Sequence, residues 1–186
     1  NGNNLKVNLT TWFTNTVNGN YKLACILIED SVTGFTSQYN QSNSYSGGNA
    51  GSLIDVDGSD WANKPPTVPA TQMIYRDVAR GIAPSFNGEN LLNTSYSSGD
   101  FETHCFEFIL DPSWDQSKIK IIGMLLDNNN IVDNASSTSI DEAVLEGYTP
   151  CSTTTIGVDL NGPDRINIYP SPAKENIQIS NIEEGA

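Results

Sequence analysis

The sequence predicts an all-β chain, an antiparallel sandwich of strands, on three observations. Alternating apolar residues recur in short segments, turn residues separate those segments, and there is no regular exchange of strand and helix patterns of the kind that builds a parallel sheet. Asn, Ser and Thr fill 56 of the 186 positions; their side chains compete with the backbone for hydrogen bonds in helix interiors but suit turns and exposed strand faces. Apolar residues make up 37% of the chain, enough for one sizeable core, so wholesale disorder is not expected.

Leu5, Val7, Leu9, Thr11 and Phe13 share one parity, the pattern of a half-buried strand. Asn18-Gly19 then supplies tight-turn chemistry before a second strand over residues 21–29, so the chain is expected to open with a hairpin. Gly, Ser, Asn and Tyr dominate residues 33–52, which lead through Asp55, Asp57 and Asp60 to Pro65-Pro66, an excursion too long for an idle connection. In residues 71–83, Ile74, Val78 and Ile82 fit a helical stripe and a strand face equally, and Pro84 ends either element. Strands are expected over 101–110, with Phe106, Phe108 and Leu110 on one face, over 118–126, and briefly near 131–132. Residues 141–147 are the one expected helix, acidic at the start and stopped by Gly147. The chain is expected to divide into a β-sandwich at 1–158, a linker at 159–164 and the truncated start of another β unit at 165–186.

The formal net charge of −13 repels phosphate backbones and acidic lipid headgroups, so nucleic acid is not an expected partner. No stretch approaches the roughly 20 apolar residues that span a bilayer, so no transmembrane segment is expected. The chain begins at Asn1 without Met or a signal segment, which predicts a piece of a longer precursor. Its three cysteines lack zinc-site spacing. Cys25 lies in an apolar run and reads as a buried thiol, so a disulfide, if one forms, is expected between Cys105 and Cys151 and would fit an oxidising compartment.

Residues able to carry chemistry are few. His104 is the sole histidine, no GxSxG elbow occurs, and its strand parity with Phe106 and Phe108 predicts a satisfied structural histidine. The acidic segment Asp55-Val56-Asp57-Gly58-Ser59-Asp60 offers oxygens at alternate positions with Gly58 for a bend, which suits a hard cation such as calcium held by Asp55, Asp57 and Asp60; a solvated acidic turn is the competing reading, and Pro66 stands where an EF-hand would place its glutamate. No cofactor is required. Tyr39, Tyr45 and Trp61 could stack on sugars as a ligand-binding surface, or instead pin the long loop in place. Arg76 and Arg80 are expected to pair with carboxylates.

Arg165-Ile166-Asn167-Ile168-Tyr169-Pro170-Ser171-Pro172-Ala173, followed by the alternating Ile177 and Ile179, resembles the opening of the type A C-terminal sorting domain read by the type IX secretion machinery of Bacteroidetes, with Ser171 where Asn is usual. The resemblance implies export across the outer membrane of a Gram-negative bacterium. Residues 5–147 are similar in pattern to the C-terminal β-sandwich of the 28-kDa outer-membrane-protein-related family of the same phylum, through Leu27-Ile28-Glu29-Asp30-Ser31-Val32-Thr33-Gly34, Met73-Ile74-Tyr75-Arg76-Asp77-Val78-Ala79-Arg80 and Ile121-Ile122-Gly123-Met124-Leu125-Leu126-Asp127. This second resemblance implies an Ig-like sandwich, with a jelly-roll-like one as the alternative, and a strand for the ambiguous residues 71–83. Together they imply a non-enzymatic secreted or cell-surface module with a binding, adhesion or structural role, its ligand a carbohydrate or a surface protein. The alternative is a hydrolase, or an accessory domain of a secreted enzyme, using loop carboxylates.

Overall fold

The computed structural model describes residues 3–49 and 51–145, and the backbone of two later strands at 155–158 and 175–184. Two compact units emerge, one formed by Asn1–Glu29 with Ala79–Ala186 and the other by Asp30–Val78. The first is an all-β antiparallel sandwich, as predicted.

One sheet of the sandwich runs in the order β12 (Thr155–Val158), β9 (Asp100–Ile109), β1 (Asn4–Phe13), β13 (Glu175–Glu184). The other runs β11 (Val132–Ser139), β10 (Ile119–Leu126), β3 (Lys22–Glu29), β6 (Val78–Ala83), with β7 (Glu89–Asn90) also pairing with β3. Period-two alternation sends one parity of each strand inward. Leu5, Val7, Leu9 and Phe13 from β1 and Phe106 and Phe108 from β9 share one buried cluster with Leu23, Cys25 and Leu27 from β3 and Ile119, Ile121 and Leu125 from β10. Burial pushes the Cys25 thiol up to about 12, so it stays a neutral apolar filler.

The expected opening hairpin does not form. β1 pairs with β9 and β13, whereas β3 pairs with β10 and β7, so the first two long strands lie in opposite sheets. Local turn chemistry is outweighed because β3 gains an eight-residue ladder with the most apolar strand in the chain, Ile119–Leu126. The Asn18-Gly19 pair is drawn elsewhere: β2 (Val17–Asn18) pairs with β8 (Ser95–Tyr96), and the Gly19 amide donates to the Thr94 carbonyl at 2.9 Å. A hairpin does join β10 to β11 through Asp127-Asn128-Asn129-Asn130, where the Asp127 carboxylate accepts the amides of Asn129 and Ile131 and Asn130 takes a φ of 64°. β11 is consequently much longer than the short strand expected near 131–132. Residues 71–83 are neither wholly helix nor wholly strand: a single 3-10 turn at Ala70–Gln72 is followed by β6 from Val78.

The expected helix is α1 (Ile140–Leu145). Its start is a capping box, in which the Glu142 carboxylate accepts the Ser139 amide at 3.0 Å while Ser139 Oγ accepts the Glu142 amide at 3.1 Å. Arg80 of β6 donates through Nε to Glu29 of β3 at 2.7 Å, and Glu29 also accepts the Asp115 amide at 2.8 Å, so the paired carboxylate ties two strands to the turn before β10. β13 joins the sheet as an antiparallel neighbour of β1. An exposed sheet edge offers unpaired amides and carbonyls to any alternating segment that reaches it.

Gly88 shows how closely the segment between β6 and β7 packs. It takes a φ of +67°, and a Cβ there would lie 3.0 Å from the Leu23 carbonyl oxygen and 3.1 Å from Lys22 Cβ. Gly88→Ala is therefore expected to cost about 1–3 kcal/mol, from backbone strain and the approach to a carbonyl that cannot move aside. Urea unfolding of the two proteins checks this; an unchanged midpoint would refute it.

Candidate functional site

Two places concentrate polar side chains, one in each unit. The Asp30–Val78 unit contains every ligand or metal residue singled out from the sequence. Its frame is slight: β4 (Gln41–Ser42) pairs with β5 (Thr67–Val68), Val32 bridges to Tyr75, and Ile54 bridges to Asp60. The buried Asn43 compensates for this sparse pairing by donating from Nδ2 to the carbonyls of Trp61, Lys64 and Pro65 and accepting the Tyr45 amide.

Asp55, Asp57 and Asp60 are not brought together as a cation site. Asp55 accepts the amides of Asp57 and Ser59 at 3.0 Å each and the Trp61 indole N–H at 3.0 Å. Asp57 pairs with Arg76 at 3.1 Å. Asp60 caps the 3-10 turn Trp61–Asn63 by accepting the Ala62 amide at 3.0 Å and also accepts the Asn63 side-chain amide at 3.2 Å. Each carboxylate is turned onto its own donors, and among the described residues no three His, Cys, Asp or Glu side chains are disposed to hold a metal. Partial burial opposes ionisation of Asp55, but the bonds from Ser59, Trp61 and Asp57 outweigh it and hold the carboxyl below its usual range. The Ala62 amide does the same for Asp60. Arg76 also reaches Asp30 at 3.2 Å, so the expected arginine–carboxylate pairing closes the base of the excursion.

Tyr39, Tyr45 and Trp61 make separate contacts rather than one platform. The Tyr39 ring lies against Gly34, where a Cβ would collide with it, and its centroid is 6.4 Å from that of Tyr75. The half-buried Trp61 ring is covered by Lys64 Nζ, 4.6 Å from its centroid, while Tyr45 is exposed. Two of the three rings thus hold the loop together. What the sequence reading missed is the number of apolar side chains left exposed in the same unit. Phe35 is 90% exposed and Val56 92%, and with Tyr45, Leu53, Ile54 and Ile74 the excursion carries half of the large apolar side chains that the described residues leave open to solvent. The signal was available in apolar residues set singly among Gly, Ser and Asp, with no partner parity to bury them.

The second place is inside the sandwich. On β9, Glu102 and His104 share the inward parity of Phe106 and Phe108 and face Thr11 and Leu9 of β1. Glu102 is fully buried and accepts the Leu92 amide on both oxygens, at 2.9 and 3.2 Å, together with the Tyr96 hydroxyl. His104 Nε2 lies 2.6 Å from Glu102 Oε1, and Nδ1 lies 3.0 Å from Glu89 Oε2 of β7. Burial, and then the bond to Glu102, raise the Tyr96 phenol well above its usual range. His104 is therefore the satisfied structural histidine that its parity predicts. Both ring nitrogens are taken by carboxylates, so neither is left for a substrate proton or a metal.

Beside this array, Pro84, Gly88, Glu89, Asn90, Cys105 and Glu107 line an open cleft of about 480 Å³. Cys105 is disulfide-bonded and Cys25 is free; Cys151, the partner expected from the sequence, lies outside the described residues. No helix among the described residues is long and apolar enough to cross a membrane. Comparison with known protein families, curated proteins and solved structures found no match to this chain.

Proposed function

We propose that the chain is a non-enzymatic module of a secreted or cell-surface protein, in which the sandwich serves as scaffold and the Asp30–Val78 excursion binds a protein partner. The observation that carries this reading is the solvent exposure of Phe35, Ile54, Val56 and Ile74 within one compact unit. Large apolar side chains kept in water lower stability and solubility unless something covers them, and apolar anchors ringed by polar residues are the usual centres of protein interfaces. A sugar would be met by a platform of free aromatic faces, yet Tyr39 packs on Gly34 and Lys64 covers the Trp61 ring, which leaves Tyr45 as the exposed ring of the three. Export is the second part of the proposal. It is supported by the resemblance of residues 165–179 to a type IX sorting segment and by the disulfide at Cys105, which fits an oxidising compartment.

Probing immobilised cell-surface proteins and glycans with the chain tests the reading. Binding to proteins is expected, and the double variant Phe35→Ser, Val56→Ser should weaken it at least about tenfold with no fall in melting temperature. Equal binding by the variant, or binding to glycans alone, would overturn the proposal.

A further inference from the structure

We infer that Glu102, His104 and Glu89 form a pH-operated clasp, which in its protonated state fixes β7, and with it one wall of the cleft, to the inner face of β9. Glu102 already accepts the Leu92 amide and the Tyr96 hydroxyl, and Glu89 is half exposed. With both carboxylates acting as acceptors, each ring nitrogen of His104 has to donate, at 2.6 Å to Glu102 and at 3.0 Å to Glu89, and an imidazole with two N–H groups is the cation. Among the described residues, the titratable groups facing the ring are Glu102 on its own strand, Glu89 on β7 and Tyr96 on β8 beyond Glu102; β1 opposes it with the apolar Leu9, and Phe106 lies beside it.

Loss of one proton leaves a single N–H on the ring. The fully buried Glu102 keeps it, because an uncompensated carboxylate costs most where water cannot reach. Nδ1 then turns a lone pair toward Glu89, two acceptors face each other, and the half-exposed Glu89 is free to turn to solvent. β7 itself is a ladder of two residue pairs, Lys22 with Asn90 and Leu23 with Glu89, continued by the Leu91 amide on the Tyr21 carbonyl, and so short a ladder has little stability of its own. The residues it releases, Gly88, Glu89 and Asn90, are those that line the cleft, so the cleft differs between the two protonation states.

His104 is the sole histidine, so its ring nitrogens can be followed by NMR without ambiguity. As the pH is raised, both nitrogens are expected to carry protons in acid and one to lose its proton on the alkaline side. In step with that loss, exchange of the Leu91 amide, which donates to the Tyr21 carbonyl, should rise about tenfold beyond its intrinsic pH dependence. In Glu89→Gln the side chain can accept from the charged ring and donate to the neutral one, so the same titration should leave Leu91 unaffected. The clasp is overturned if the ring carries one proton throughout, if it keeps both until the whole chain unfolds, if Leu91 ignores the titration, or if Glu89→Gln responds as the unaltered protein does.

Discussion

Alanine in place of Glu102 is expected to remove about 3–5 kcal/mol of folding stability, since truncating one partner of a buried ionic array strands the other. The substitution orphans the Leu92 amide, the Tyr96 hydroxyl and a His104 ring that is 2% exposed. A glutamine at the same place keeps an acceptor for Leu92 and should cost less than alanine. Urea unfolding, with the slope checked for two-state behaviour, measures both. An alanine variant within about 1 kcal/mol of the parent would mean that the array is decoration on a core that does not need it.

Phe13→Ala is expected to cost a similar amount, about 3–5 kcal/mol. Phe13 is 1% exposed, stacks on Tyr96 with ring centroids 4.1 Å apart and meets the Tyr21 ring edge-on at 5.9 Å. Its loss would open a cavity at the end of β1 and remove the ring that positions Tyr96 over Glu102. The two variants therefore share a partner, and their effects in the double mutant are expected to fall short of the sum. Strict additivity would show that Phe13 and Glu102 act independently, against the geometry.

The inward rows of the sandwich were legible because period two is a local pattern: Leu5, Val7, Leu9 and Phe13, or Phe106 and Phe108, declare their face without knowledge of any other strand. Pairing was not legible, because the partner that draws β3 away from β1 lies about a hundred residues further along, at Ile119–Leu126. The same limit hid the polar array. Glu102 and His104 on an apolar parity already announce a buried polar pair, but the completing residues, Glu89 and Tyr96, arrive from separate connecting segments. In the excursion the residue types are legible as chemistry, but what each carboxylate bonds is not. Asp55, Asp57 and Asp60 fall within six residues as cation ligands can, yet backbone amides, which every loop must satisfy, claim two of the three carboxylates.

This division of labour, a sandwich held by long-range pairing and a separate unit whose apolar side chains stay in water, is what makes binding the proposed role. Hydrogen–deuterium exchange of the chain with and without a captured protein partner tests it most directly. New protection is expected within residues 30–78, centred on the peptides bearing Phe35, Val56 and Ile74, with the core strands unchanged. Protection confined to the cleft at Pro84–Asn90 or to the sheet edges, with the excursion exchanging as freely as before, would contradict it.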